Sequence, residues 1–402
     1  MKAAFYLKAA FLFLHKLFYP LQLNNNKVIY FPLLDATRFI AFIPVFLTHC
    51  FISSNSAIEN ANWFKQITHF LDVGLLGLDY FFVLSSFLIT RLIIDERQQF
   101  KTFSFKLFFI RRSLRIWPLY FLMVAIAFIC EYSGLLHTPL PPLLPFLSFT
   151  LNLYIAENGY HFLFFLVFLW SISVEEQFYV FWGIILHIGS KINAKFFQYS
   201  IPVIAYSLIL LSLWYRASHS EQALKLYFHT FSVTANFGIG ILLAYYSAYS
   251  TWLIPAFENM SKKLIVLLAM LLLVSTIAYT IVFVYPLAIL FERVYFSVLF
   301  AIIIAVLCYA KNIAGLKKIF IRFDYLGKIA LGLYFYHGIV ITIFSKIMLH
   351  YPTANYTWQV LIVNPIIMLT LSIICAALSY NYFEKPILAL KNKFYRIISP
   401  TV

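Results

Sequence analysis

The sequence predicts an all-α integral membrane protein, a bundle of about ten transmembrane helices with both termini cytoplasmic. Three observations carry that expectation. Of 402 residues, 63% are hydrophobic, 20% aromatic and only 11% charged, whereas a soluble domain carries about a quarter charged residues. Apolar runs of about 20 residues recur along the chain, each able to cross a ~30 Å hydrocarbon core as a helix. Lipid cannot satisfy exposed backbone groups, so such runs must be helical. The 30 Lys and Arg residues gather between alternate runs, where positive charge orients membrane proteins.

The runs read as spans at roughly 33–53, 73–94, 114–132, 164–188, 198–216, 228–248, 264–285, 289–310, 326–349 and 358–380. With a cytoplasmic N-terminus, about 25 of the 30 Lys and Arg fall inside, leaving Lys65, Arg216, Lys225, Arg293 and Lys346 outside. Residues 1–28 form an interfacial extension: in 1–20, Lys2, Lys8, His15 and Lys16 share one side of a helical wheel. The uncharged stretch between Lys8 and His15 is too short for a signal peptide. Residues 29–388 are one membrane domain, and 389–402 a short basic cytoplasmic tail. Segment 133–163, with Pro139, Pro141, Pro142 and Pro145, reads as an outer loop with a short re-entrant or interfacial piece. The net charge of +15 does not indicate nucleic acid, which would need a continuous basic face on a soluble fold. Cys50, Cys130, Cys308 and Cys375 are far apart and lack metal-ligand spacing, so no metal is expected.

Charged groups at membrane depth cost at least a few kcal/mol and mark functional or paired positions. In the first span Asp35, Arg38, Phe42 and His49 share one stripe, with a kink expected at Pro44. Asp35 and Arg38 are spaced to pair. His49 lies about 16 Å further along the axis, where it could take a proton from an attacking hydroxyl or cap the helix. The second span puts Asp79, Ser86 and Thr90 on one face; Asp79 suits a structural hydrogen bond as well as a catalytic role. Arg112 and Arg115, with Arg111 adjacent, could hold phosphate or meet lipid headgroups. In the fourth span Ser171, Glu175, Tyr179 and Trp182 form a stripe, with Glu176 turned away. Glu175 could orient a histidine or pair with an arginine. Tyr334 and His337 lie one turn apart in the ninth span.

In order and spacing these segments resemble acyltransferase family 3, membrane O-acetyltransferases of bacterial surface polysaccharides. The resemblance runs from about residue 30 to 388. LDATRFIAFIPVFLTHC is similar to the family's first helix, whose Arg and His, with ten residues between them, are here Arg38 and His49. Ser85-Ser86-Phe87 stands where Ser-Gly-Phe is usual. Arg112 and Arg115 meet an Arg-x-x-Arg block, Trp170, Ser171 and Glu175 a Trp-Ser-x-x-x-Glu block, and Tyr334 and His337 a Tyr-x-x-His block. YFEKP is similar to the terminal Glu-Arg-Pro, with Lys385 for Arg. Some relatives add a soluble esterase-like domain, and this chain reads as the short form.

The resemblance implies acyl-CoA, most often acetyl-CoA, as donor and a glycan or glycolipid hydroxyl as acceptor, in an O-antigen, exopolysaccharide or lipid-linked saccharide. It implies a multi-pass protein of the bacterial inner membrane, among membrane lipids, with oligomeric state, a homodimer included, left open. In this reading His49 is the catalytic base. Glu175 or Asp35 sets its tautomer, and Arg38 holds a carboxylate or donor phosphate. Arg111, Arg112 and Arg115 bind the donor's nucleotide end. Asp79, Tyr334 and His337 are candidate substrate contacts. The rival expectation is a proton-coupled transporter or flippase of a lipid-linked sugar, against which no repeat between halves is visible.

Overall fold

Ten principal helices form in a computed structural model that describes residues 24–27, 31, 33–133, 140–162, 164–283, 285–349, 356–394 and 397–398. The expected interfacial stretch 1–20 lies outside these residues. The helices are α1 (Leu33–Cys50), α2 (Leu76–Phe100), α3 (Phe105–Tyr132), α4 (Leu169–Ile192), α5 (Ala194–Ser218), α6 (Thr230–Tyr249), α7 (Lys262–Ile277), α8 (Pro286–Tyr309), α9 (Ala330–Leu349) and α10 (Asn364–Ser379). Local chemistry sets several starts. The Ser104, Asn193 and Ser261 side chains accept the backbone N–H groups of Leu107, Phe196 and Leu264, replacing bonds a first turn lacks. Pro286 opens α8, where its missing N–H costs nothing. α1 runs on through Pro44.

Among the described residues nine helical stretches are long and apolar enough to cross a bilayer. The predicted span 264–285 is the exception: α7 has 16 residues, ends before Ala278, and helix resumes only for Tyr279–Val282. Hydroxyls gather at the break. Thr276 donates back to the Leu272 carbonyl (2.8 Å) and Ser275 bonds the Tyr295 hydroxyl (2.6 Å), a competition that bends helices. Val266, Leu267, Leu273 and Val274 of α7 are exposed, a surface suited to lipid. Asn24–Lys27 and Ile397–Ile398 pair as short parallel strands, so the two ends of the described chain lie side by side.

Close backbone approach organises the interior. A side chain at Gly240 of α6 would overlap Ser86 and the Val83 carbonyl of α2, so the glycine missing at position 86 is compensated from the facing helix. A Cβ at Gly77 would lie 2.5 Å from the Ala41 carbonyl of α1. Phe178 of α4 and Phe237 of α6 stack at 4.1 Å. Part of the segment expected as an outer loop tucks against the bundle, with Gln177 of α4 donating to the Phe149 carbonyl (2.7 Å) and Tyr120 of α3 to that of Phe146 (3.1 Å).

Arg216 and Arg293, expected in outer segments, are instead buried on α5 and α8. Arg293 pairs with Asp79, which also accepts from Asn236, and Arg216 pairs with Glu292 at 2.7 Å. Hydropathy could not anticipate this, because a paired arginine at membrane depth reads like one at a loop edge.

Candidate active site

α1, α2, α3, α9 and the chain after α10 enclose a vestibule of about 380 Å³, within the range of small-molecule sites. α10 continues through a π-helical turn, Tyr380–Glu384, into a final helical turn, Lys385–Leu390. This widened turn directs both Tyr380 and Glu384 at the vestibule, and such bulges recur at functional sites. Six cations line the chamber, Arg38, Arg91, Arg112, Arg115, Lys328 and Lys391, against three carboxylates, Asp35, Asp95 and Glu384. Asp35 pairs with Arg38 one turn away, and Asp95 with Arg91 at 3.0 Å. Glu384 accepts from Ser379 (2.9 Å). The Arg112 guanidinium lies 5.8 Å from the Tyr179 ring centre. The surplus of positive charge suits the chamber to an anion.

A narrower arm of about 100 Å³ shares Arg38, Arg112, Arg115 and Leu331 with the vestibule, so the two adjoin at these side chains. Phe81, Phe82, Ile116 and Ile172 make it largely apolar. Besides these arginines its polar lining comes from α2, α4 and α9. Ser85 and Tyr179 donate to Glu175 at 2.9 and 2.8 Å, and Ser171 bonds Tyr334 at 2.8 Å. Tyr334 also donates to the Phe168 carbonyl (3.2 Å).

Two histidines stand beyond that tyrosine. His337 is fully buried; its Nδ1 bonds the Leu333 carbonyl (3.2 Å), and its Nε2 has no hydrogen-bond partner among the described residues. The His49 ring lies 6.1 Å from His337, nearly parallel, and 4.9 Å from Phe168. Phe168 is 4.5 Å from His337 and 6.1 Å from Tyr334. A layer of Phe168 and Tyr334 therefore separates the arm from His49, which lines neither chamber. Gly338 makes room for it: a Cβ there would lie 2.6 Å from the Phe168 ring and 3.0 Å from Phe165 Cα.

Placement corrects several expectations. Glu175 is held by Ser85 and Tyr179 and touches neither histidine. Asp35 is engaged by Arg38 near the start of α1, far from His49 along that helix, so neither acid sets the His49 tautomer. Arg111 turns away from the vestibule. It donates to the Phe394 carbonyl (2.6 Å) and pairs with buried Glu96 (3.4 Å), because neighbouring helical positions diverge by 100°. Asp79 lines neither chamber and is closed by Arg293 and Asn236, which removes it as a substrate contact. Arg38, Arg112, Arg115 and Tyr334 do line the arm, and His337 lies just behind it. Sequence reasoning missed Arg91, Asp95, Lys328, Glu384 and Lys391 as lining residues, and Phe168 as a divider. The Glu of the YFEKP segment was the available signal for one of them, since Glu384 is buried in the vestibule wall while the departing Lys385 is exposed.

Together these features define a multi-pass helical membrane protein with a cationic chamber adjoining a narrow internal arm. An acyltransferase-domain family model, that of acyltransferase family 3, matches residues 31–380. The chain belongs to that family. It is 26% identical over 89% of its length to the putative peptidoglycan O-acetyltransferase YrhL of Bacillus subtilis. It is 24% identical over 91% to the peptidoglycan O-acetyltransferase OatA of Listeria monocytogenes. A putative O-acetyltransferase of Staphylococcus aureus is 28% identical over 55% of the chain and 35% of its own length. The chain spans 55% of the Bacillus relative and 56% of the Listeria one. No solved structure matches it.

Proposed function

We propose that this protein transfers an acetyl group from acetyl-CoA to a hydroxyl of a cell-surface glycan, with peptidoglycan the first acceptor to test, given the names of two relatives. One observation carries the reading: the cationic vestibule and the thin apolar arm adjoin at Arg38, Arg112 and Arg115, and the arm lies a single residue layer from paired histidines. Coenzyme A has matching chemistry, with phosphates at one end and a slender pantetheine arm ending in the thioester. Guanidinium groups suit the former, and the aliphatic and aromatic arm suits the latter.

In this mechanism the vestibule faces the cytoplasm, where acetyl-CoA is made, and the acceptor approaches from the His49 side. Turnover requires the Phe168 and Tyr334 side chains to part so that thioester and hydroxyl meet at His49. His49 takes the hydroxyl proton as the oxygen attacks the thioester carbonyl. The C–O bond forms, the C–S bond breaks, and the proton leaves with the coenzyme A thiol, so no charge accumulates. His337 backs the His49 ring and holds it in place. Tyr334, bonded to Ser171, faces the reacting carbonyl from the arm.

The test uses purified full-length protein in nanodiscs with radiolabelled acetyl-CoA and peptidoglycan fragments, beside mass spectrometry of surface glycans from cells carrying wild type, no protein, or His49→Ala. A mass gain equal to one acetyl group, present only with wild type, is the expected result. Transfer retained by folded His49→Ala removes the base assignment. A wild-type protein that never consumes acetyl-CoA removes the enzyme reading in favour of a carrier.

A further inference from the structure

The vestibule is closed on one side by the tail, and Arg111 explains how. After α10 and its final turns the chain makes a short 3₁₀ turn, Lys391–Phe394, anchored by Arg111 at the Phe394 carbonyl (2.6 Å). Arg111 is held by Glu96, which also accepts the Ser104 N–H at 3.1 Å. This latch ties the tail to the α2–α3 corner, buries Phe394 and sets Lys391 in the vestibule wall with Arg112 and Arg115.

Lys391 and Arg115 both line the chamber, and neither has an ion-pair partner among the described residues. Of the chamber's other cations, Arg38 answers to Asp35, Arg91 to Asp95 and Lys328 to Asp324 (2.9 Å), while Arg112 lies over the Phe108 and Tyr179 rings. A half-buried amine beside a guanidinium, with no carboxylate at ion-pair distance among the described residues, is a site that asks for an anion. We propose that Lys391, held by the Arg111–Glu96 latch, forms with Arg115 a phosphate subsite that reads the ribose 3′-phosphate of the donor. This rests on the acetyl-CoA reading above.

Electrostatics fits the geometry. Burial, then Arg115 and Arg112, lowers the Lys391 amine to about 8, with Asp35 opposing and Arg38 adding to the drop; Lys328 and Glu384 complete the charged wall. A bound phosphate favours the ammonium, so donor binding above pH 8 takes up a proton and weakens as pH rises.

The experiment measures binding of acetyl-CoA and of 3′-dephospho-acetyl-CoA to the full chain in nanodiscs, with and without phosphatidylglycerol. For wild type, loss of the 3′-phosphate should weaken binding about tenfold, the scale of one charge-assisted hydrogen bond. Lys391→Gln should bind both donors equally, at the dephospho level, and Lys391→Arg should restore discrimination and flatten its decline above pH 8. If Lys391→Gln discriminates as wild type does, the subsite is wrong while the donor reading stands. If Lys391→Gln matters only in anionic lipid, Lys391 serves a headgroup phosphate and the subsite is overturned. If wild type binds neither donor, the reading beneath it fails.

Discussion

The buried pair Asp79–Arg293 separates a structural role from the substrate contact that sequence alone suggested for Asp79. Asp79 is 0% and Arg293 4% exposed, and the Arg293 guanidinium also lies 5.7 Å from the Tyr227 ring centre. Asp79→Leu strands a guanidinium away from water, and removing one partner of such a pair costs about 3–5 kcal/mol. Arg293→Met leaves the carboxylate in the same position and should cost a similar amount. The double variant restores electrical neutrality with apolar groups and should recover most of the loss, giving a coupling of at least about 2 kcal/mol between the sites. The assay is thermal unfolding in detergent by intrinsic fluorescence, scored beside acetyl transfer per folded molecule. On this scale each single variant should melt on the order of 5 °C lower while its surviving folded fraction still transfers. An Asp79→Leu protein that melts like wild type yet has lost transfer would refute the structural assignment. Independent, additive losses would refute the pairing.

Two further outcomes follow from the site. Gly338→Ala forces the Phe168 ring and the Phe165 backbone to move, an overpacking cost of about 1–3 kcal/mol; transfer should fall about tenfold or more while acetyl-CoA binding holds, and equal loss of both would mean the arm itself collapsed. Arg115→Ala should raise KM for acetyl-CoA about tenfold with little change in acceptor KM, whereas Arg111→Ala should weaken discrimination of the 3′-phosphate indirectly by freeing the tail, and reversed effects would exchange the roles given to these two arginines.

Side-chain placement within single helices follows the spacing read from the sequence. Asp35 and Arg38 pair as their spacing implied. Ser171, Glu175 and Tyr179 share the face of α4 that meets the arm, while Glu176, one position on, turns to Trp117 at 3.0 Å. Tyr334 and His337 stand one turn apart along the path to His49. What went unread was the pairing across helices: Glu175 with Ser85 rather than a histidine, Asp79 with Arg293, and Arg111 with the tail. Lys391 looked like one more solvated charge in a basic tail, because no local pattern reveals that an arginine elsewhere folds that tail into a chamber wall.

By itself the sequence determined the membrane class, all but one of the long helices and the face each ionisable group takes on its own helix, since hydropathy over twenty residues and a 3.6-residue period are local properties. Tertiary structure decided which faces meet, that two chambers adjoin at Arg38, Arg112 and Arg115, and that Phe168 stands between the arm and His49. The physical reason is that lipid and protein interior are equally apolar. Apolar pattern therefore carries little information about helix partners, and the choice falls to close glycine contacts and buried charge pairs whose members lie far apart in the chain.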